Sequence, residues 1–215
     1  REGERFDEAF YRRLAAHPKV VAIGECGLDY YRLPQDSESI KAVQRDLFLV
    51  QVRLAFEVGK PLMIHCRDAM PDLLQLLVTN YSLLNHDNPG IMHFFTGTVD
   101  EARKLADLGF SFTFGGVITF PPKADPRLRL ASDGQAPLAD ASYDEVIRFL
   151  PANRILSETD APYVAPEPYR GKRNEPAYVV EVAKKLAEIR GVDPESFRVQ
   201  LLRNAERVFG IRLGG

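Results

Sequence analysis

Short apolar runs recur along this chain at intervals that fit a parallel sheet. Val20 to Glu25, Pro61 to His65, Gly90 to His93 and Ile155 to Asp160 each end on a side chain able to bind a metal. A fifth run, Phe110 to Thr119, has the same character without such a residue at its end. Runs this short, bounded by Gly, Pro and polar clusters, read as strands. Between them the period changes. Ile40, Val43, Leu47, Val50, Leu54 and Val58 follow Ser37 and Ser39 at helical spacing until Gly59 and Pro61 close the stretch. Thr98 with Glu101 forms a capping-box pattern, and Leu105 and Leu108 lead to a helix exit at Gly109. Asn174 before Glu175 and Pro176, and Asp193 before Pro194, predict two further helix starts. Apolar positions follow at Val179, Val182, Leu186 and Ile189, then at Phe197, Leu201 and Val208.

A strand, a crossover helix and the return to the next strand need about 30 residues or more. One such unit separates Glu25 from His65 and another His65 from His93, while two fit between His93 and Asp160. Five consecutive strand-helix units predict an α/β fold of the TIM-type (β/α) barrel, in which catalytic groups collect where strands pass into their loops. A closed eight-strand barrel needs about 250 residues. Five strands cannot close, so the expectation for these 215 residues is either another parallel-sheet architecture or a single hydrolase barrel domain lacking its N-terminal strands. The segment 120–142 holds prolines at 121, 122, 126 and 137 together with Asp133-Gly134 and shows no sustained period. It reads as an insertion loop on the catalytic face, a lid or substrate selector.

Two histidines and two carboxylates in register at strand ends predict a mixed nitrogen and oxygen metal site. Such donors suit zinc, manganese or magnesium. A carboxylate can bridge two ions that together clamp the attacking and leaving oxygens of a phosphoryl displacement. Glu25 is the candidate bridge, and Asp160 a ligand that would also accept the proton of the attacking water. Cys26 and Cys66 each follow a proposed ligand, so alternation turns them to the opposite face as small buried hydrophobes. His17 and His86 read as solvated or capping residues.

Composition narrows the class. Hydrophobic residues make up 45% of the chain and charged ones 27%, as in ordinary globular domains. A net charge of −2 argues against an extended nucleic-acid surface but leaves room for a small phosphodiester site, with Arg170, Lys172 and Arg173 in one loop. No apolar run approaches the roughly 18 residues of a membrane span. Arg1 to Arg5 lack the apolar core of a secretory signal, and two cysteines are too few for a disulfide framework. A cytoplasmic protein without membrane partners is expected.

Five stretches carry a resemblance to a known family: Gly24-Glu25-Cys26-Gly27-Leu28-Asp29-Tyr30, His65-Cys66-Arg67-Asp68-Ala69, His93-Phe94-Phe95-Thr96-Gly97, Glu158-Thr159-Asp160-Ala161-Pro162-Tyr163 and Arg173-Asn174-Glu175-Pro176. Together they closely resemble the TatD family of metal-dependent deoxyribonucleases. The resemblance implies an amidohydrolase-superfamily barrel, two divalent ions (Mg, Mn or Zn) and 3′-to-5′ exonuclease or related phosphodiesterase action on DNA, with short or single-stranded ends as substrate. It further implies Glu25 as bridging ligand, His65 and His93 as ligands of one ion, Asp160 as a ligand of the other, and Arg67, Tyr163 and Arg173 lining the substrate cleft. Family members usually begin with a strand bearing a His-x-His pair, which has no counterpart in this chain. Two other readings follow: hydrolysis of a small ester, lactone or amide on the same scaffold, and an inactive binding protein lacking the first ligand pair.

Overall fold

The computed structural model describes residues 6–121 and 143–212. The expected 120–142 insertion thus lies, apart from Phe120 and Pro121, outside the described residues. Five parallel strands, β1 (Ile23–Asp29), β2 (Leu62–Arg67), β3 (Gly90–Met92), β4 (Ser111–Phe114) and β5 (Ile155–Ser157), pair in sequence order. Helices α1 (Glu8–Ala15), α2 (Glu38–Val58), α3 (Met70–Thr79), α4 (Val99–Asp107), α5 (Tyr143–Phe149), α6 (Val179–Arg190) and α7 (Pro194–Phe209) surround this sheet. The sheet is an arc of a TIM-type barrel, and among the described residues β1 and β5 do not pair with each other. No described helix is long and apolar enough to cross a membrane.

The helix boundaries follow local chemistry. α4 opens on a complete capping box, in which Thr98 Oγ1 accepts the Glu101 amide and the Glu101 carboxylate accepts the Thr98 amide. α7 opens on Asp193, which accepts from the Ser196 amide at 2.8 Å. α2, α6 and α7 end on Gly59, Gly191 and Gly210 in the left-handed conformation that glycine adopts without a Cβ penalty.

The main core lies between the outer face of the sheet and the helices. Ile64, Met92, Phe112, Phe114 and Ile155 meet Phe48 and Val52 of α2, Leu73 and Leu77 of α3, Leu105 of α4, Ile147 of α5, and Val182 and Leu186 of α6. This burial is the dominant favourable term, at about 1.5–3 kcal/mol for each large side chain.

Three expectations need correction. The run Phe110 to Thr119 is not one strand: β4 stops at Phe114, and a turn of 3-10 helix occupies Gly116–Thr119. A Cβ on Gly116 would stand 2.2 Å from the Val164 carbonyl, so the chain turns where only glycine fits against the neighbouring loop. α2 has two apolar faces, and Phe48, Val52 and Ala55 pack on the sheet while Ile40, Val43 and Leu47 stay exposed. Asn174 does not cap a helix. Its amide is spent on loop carbonyls, and α6 begins only at Val179 after a 3-10 turn over Pro176–Tyr178.

Candidate metal centre

Alternation along the strands builds the site layer by layer. On the inner face, Met63, Ile91 and Leu156 form an apolar layer packed with Val208 and Phe209 of α7. Two residues further along the same chains come His65, His93 and Glu158, with Thr113 of β4 beside them. The apolar layer closes the bottom, and the polar layer faces the carboxyl ends of the strands.

Glu25 enters by a different route. β1 does not end there but runs on to Asp29, and the pairing with β2 shifts between Gly24 and Cys26, leaving Glu25 as the extra residue of a bulge. Bulges re-aim a side chain next to functional sites. Here the carboxylate of Glu25 turns inward: Oε1 lies 3.0 Å from His65 Nδ1 and 3.7 Å from His93 Nε2. Asp160, three residues beyond β5, brings Oδ1 to 3.9 Å from His93 Nε2. All four predicted ligands are thus joined by close contacts around one point.

The far nitrogen of each histidine is also occupied by a carboxylate. Glu158 Oε2 lies 2.5 Å from His93 Nδ1. Its other oxygen accepts the Phe94 amide and the Thr113 hydroxyl, both at 2.6 Å. Asp29 Oδ2 lies 3.2 Å from His65 Nε2, while its Oδ1 accepts the Tyr31 amide at 2.9 Å. Gln44 of α2 fixes Asp29 in turn, its side-chain amide exchanging two 2.8 Å hydrogen bonds with the Asp29 backbone. A carboxylate on one ring nitrogen sets the tautomer and leaves the other nitrogen's lone pair to face outward. His65 Nδ1 and His93 Nε2 are the nitrogens so presented, and both face Glu25.

Burial lowers the affinity of His93 for a proton, but the hydrogen bond and charge of Glu158, with Glu25 and Asp160, outweigh it and raise the pKa above the ordinary histidine value. Burial pushes the thiols of Cys26 and Cys66 up to about 12, so both stay protonated and neither is suited to bind metal. His17 and His86 stand apart from the centre: His17 Nδ1 accepts the Lys19 amide, and the His86 ring lies against Tyr81.

Among the described residues no three His, Cys, Asp or Glu side chains form a ready-made cage for an ion. The donors instead approach in pairs, with imidazole nitrogens 3.0 to 3.9 Å from the carboxylate oxygens of Glu25 and Asp160. Two imidazoles with their free nitrogens turned to a shared carboxylate, and a second carboxylate alongside, are nevertheless a fitting donor set for a divalent ion.

The loops above the centre carry the backbone's unusual conformations. Among the described residues, all five non-glycine residues with positive φ, namely Arg32, Asp68, Phe94, Asp160 and Val164, lie in loops that leave the carboxyl ends of strands. Such conformations gather at functional sites. Asn174, only 2% exposed, donates to the carbonyls of Thr159 and Tyr163, each at 2.6 Å, and so ties down the loop that carries Asp160.

Comparison with known proteins agrees with this architecture. The model of the TatD related DNase family matches residues 2–210. This chain belongs to the TatD family. It is 38% identical over 205 residues to an uncharacterized metal-dependent hydrolase, YabD, of Bacillus subtilis, covering 95% of this chain and 71% of that protein. It is 37% identical over 205 residues to a protein of Citrobacter rodentium named 3′-5′ ssDNA/RNA exonuclease TatD, covering 93% and 69%. The crystal structure of YJJV, a TatD homologue from Escherichia coli, superposes with a TM-score of 0.77 at 26% identity, over 95% of this chain and 70% of that one.

The residues that the TatD resemblance assigns to the cleft occupy three different settings. Arg67 follows His65 by two positions on the same face of β2, and its guanidinium lies over the Tyr31 ring at 3.3 Å from the centroid. Tyr163 is 70% exposed beside Asp160, whose carbonyl accepts its amide at 2.8 Å. Arg173 is exposed next to the anchoring Asn174. Glu158, Asp29, Gln44 and Thr113 were not picked out as site residues by sequence reasoning. For Glu158 and Asp29 a signal existed, since both stand within the family motifs; Gln44 and Thr113 carry none.

Proposed function

We propose that this TatD-family chain is a metal-dependent hydrolase that cleaves phosphodiester bonds at DNA ends, single-stranded ends in particular, with 3′-to-5′ polarity. The observation that carries the reading is the convergence of His65 Nδ1 and His93 Nε2 on Glu25 Oε1, with Asp160 alongside. The name of the Citrobacter rodentium relative supports the choice of nucleic acid as substrate.

Glu25, His65, His93 and Asp160 would hold two divalent ions (Mg, Mn or Zn). When bound, such ions supply an acidified water and positive charge for the phosphoryl oxygens. Asp160 accepts the proton of the attacking water. Glu158 and Asp29 keep the imidazoles in the tautomer that leaves the inward nitrogens unprotonated. Arg67 and Arg173 offer hydrogen-bond donors to the phosphates of the bound strand, and the exposed Tyr163 ring offers a base a face to stack on.

The test is hydrolysis of a labelled single-stranded DNA oligonucleotide, beside bis(p-nitrophenyl) phosphate and a panel of small esters, lactones and amides. The expected result is cleavage of the oligonucleotide from its 3′ end that chelation stops. In Asp160→Asn it falls by at least about 10²-fold, the lower end of the contribution of one proton-transfer group, with the circular dichroism spectrum unchanged. Activity confined to the amides or lactones would refute the nuclease reading, and near-normal cleavage by Asp160→Asn would remove that residue from its role.

A further inference from the structure

The mouth of the site holds a stack of charged and aromatic side chains outside the ligand set. The Arg67 guanidinium lies 3.3 Å from the centroid of the Tyr31 ring, and that of Arg32 lies 4.8 Å from the same centroid. The ring is held in place from below, because the Tyr31 amide donates to Asp29, whose other oxygen contacts His65. The two strand ends are locked together as well: Asp29 pairs with Arg67 in the sheet register, and the Tyr30 amide donates to the Arg67 carbonyl at 2.8 Å. The stack therefore stands at a fixed distance from the metal-binding side chains.

Arg45, nearby on α2, is held by Glu38 and Asp72. Among the described residues neither Arg32 nor Arg67 forms an ion pair. Arg32 takes a positive φ of 54°, which a side chain rarely adopts without a surrounding reason. A guanidinium lying over an aromatic ring keeps its N–H donors around its rim free, in the fork geometry that matches phosphate oxygens. Two such groups on one ring make a compact dianion or phosphodiester receptor in a protein whose overall charge is −2.

Resting on the phosphodiesterase reading of the adjoining centre, we propose that Tyr31, Arg32 and Arg67 form a second phosphate subsite, which binds the internucleotide phosphate next to the one being cleaved. The subsite selects polynucleotides over small phosphodiesters with a single phosphate. Tyr31 acts as a positioning residue for the two guanidiniums, and Arg32 as a direct phosphate donor.

The experiment compares the wild-type chain with Arg32→Ala, Tyr31→Ala and Tyr31→Phe in two readouts. The first is binding of a fluorescein-labelled single-stranded oligonucleotide in excess chelator, where no metal contributes. The second is the ratio of kcat/KM for the oligonucleotide to kcat/KM for bis(p-nitrophenyl) phosphate. Arg32→Ala and Tyr31→Ala are expected to weaken metal-free binding and to lower the ratio, each about tenfold, while Tyr31→Phe, which keeps the ring, restores both. Replacing the neighbouring phosphate by an uncharged methylphosphonate is expected to lower the wild-type ratio by a similar factor and to leave that of Arg32→Ala unchanged. An unaltered ratio and unaltered binding in Arg32→Ala, or equal losses on both substrates in all three variants, would overturn the subsite. Failure of the nuclease reading gives a different pattern: no variant or wild-type chain then cleaves DNA, whatever the oligonucleotide binding.

Discussion

The behaviour of His93 is governed by its neighbours. Its inward Nε2 can take either a proton or a metal ion, and the raised pKa means that the proton competes up to a higher pH than at an ordinary histidine. Metal loading is accordingly expected to fall as pH drops through that raised value, read by a metal titration monitored by calorimetry. In the metal-free protein the sign reverses: protonated His93 stabilises the fold below its unfolded pKa, and that contribution disappears as pH rises through the folded value. Glu158→Gln keeps the shape but loses the charge on His93, and is expected to weaken metal affinity about 10–100-fold, measured by the same titration, with unfolding by urea little changed. The residue types themselves were legible. Glu25, His65, His93 and Asp160 stood out as metal-binding side chains at the ends of apolar runs, whereas Gln44 and Thr113 did not, because an amide and a hydroxyl become informative only once their partners across the sheet are known.

At the scale of elements, the same comparison turns on how much of the signal is local. The capping box of α4 was readable because both of its hydrogen bonds lie within four residues. Thr98→Ala is expected to cost about 1 kcal/mol, seen as a lower urea midpoint with an unchanged slope. The bulge at Glu25 was not readable, since it exists only as a mismatch between β1 and β2. Gly27 shows the same dependence. Its φ is 144° and a Cβ there would lie 1.9 Å from the carbonyl oxygen of His65, so Gly27→Ala must push β1 away from β2. The expected outcome is a marked loss of both stability and metal affinity, unlike Glu158→Gln, and equilibrium unfolding beside metal titration separates the two. The division of α2 into a packed face and an exposed one was likewise hidden, because both faces are apolar at helical spacing and only the position of the sheet chooses between them.

For the whole molecule, the four proposed ligands come from two strands, β1 and β2, and from the segments that follow β3 and β5, so an ion held by them would tie together parts of the chain far apart in sequence. Binding to the folded state alone adds stability by mass action, about 2.7 kcal/mol at a free metal concentration of 100 Kd. A thermal scan with and without Mn²⁺ is expected to show the melting temperature rising with metal concentration, and the rise should vanish in a His93→Ala variant. No rise in the wild-type chain would count against metal binding at this centre. The apolar layer of Met63, Ile91 and Leu156 under Val208 and Phe209 keeps water from the base of the site, and the polar layer above it is reached from the carboxyl ends of the strands. What the amino-acid order determined by itself was the α/β class, the succession of five strands and the residues proposed as ligands, because apolar period, turn residues and donor chemistry are properties of short stretches. Only the tertiary structure decided which imidazole nitrogen faces Glu25, which carboxylates stand behind the histidines, and which cations stack at the mouth, because each of these depends on how strands distant in sequence are set against one another.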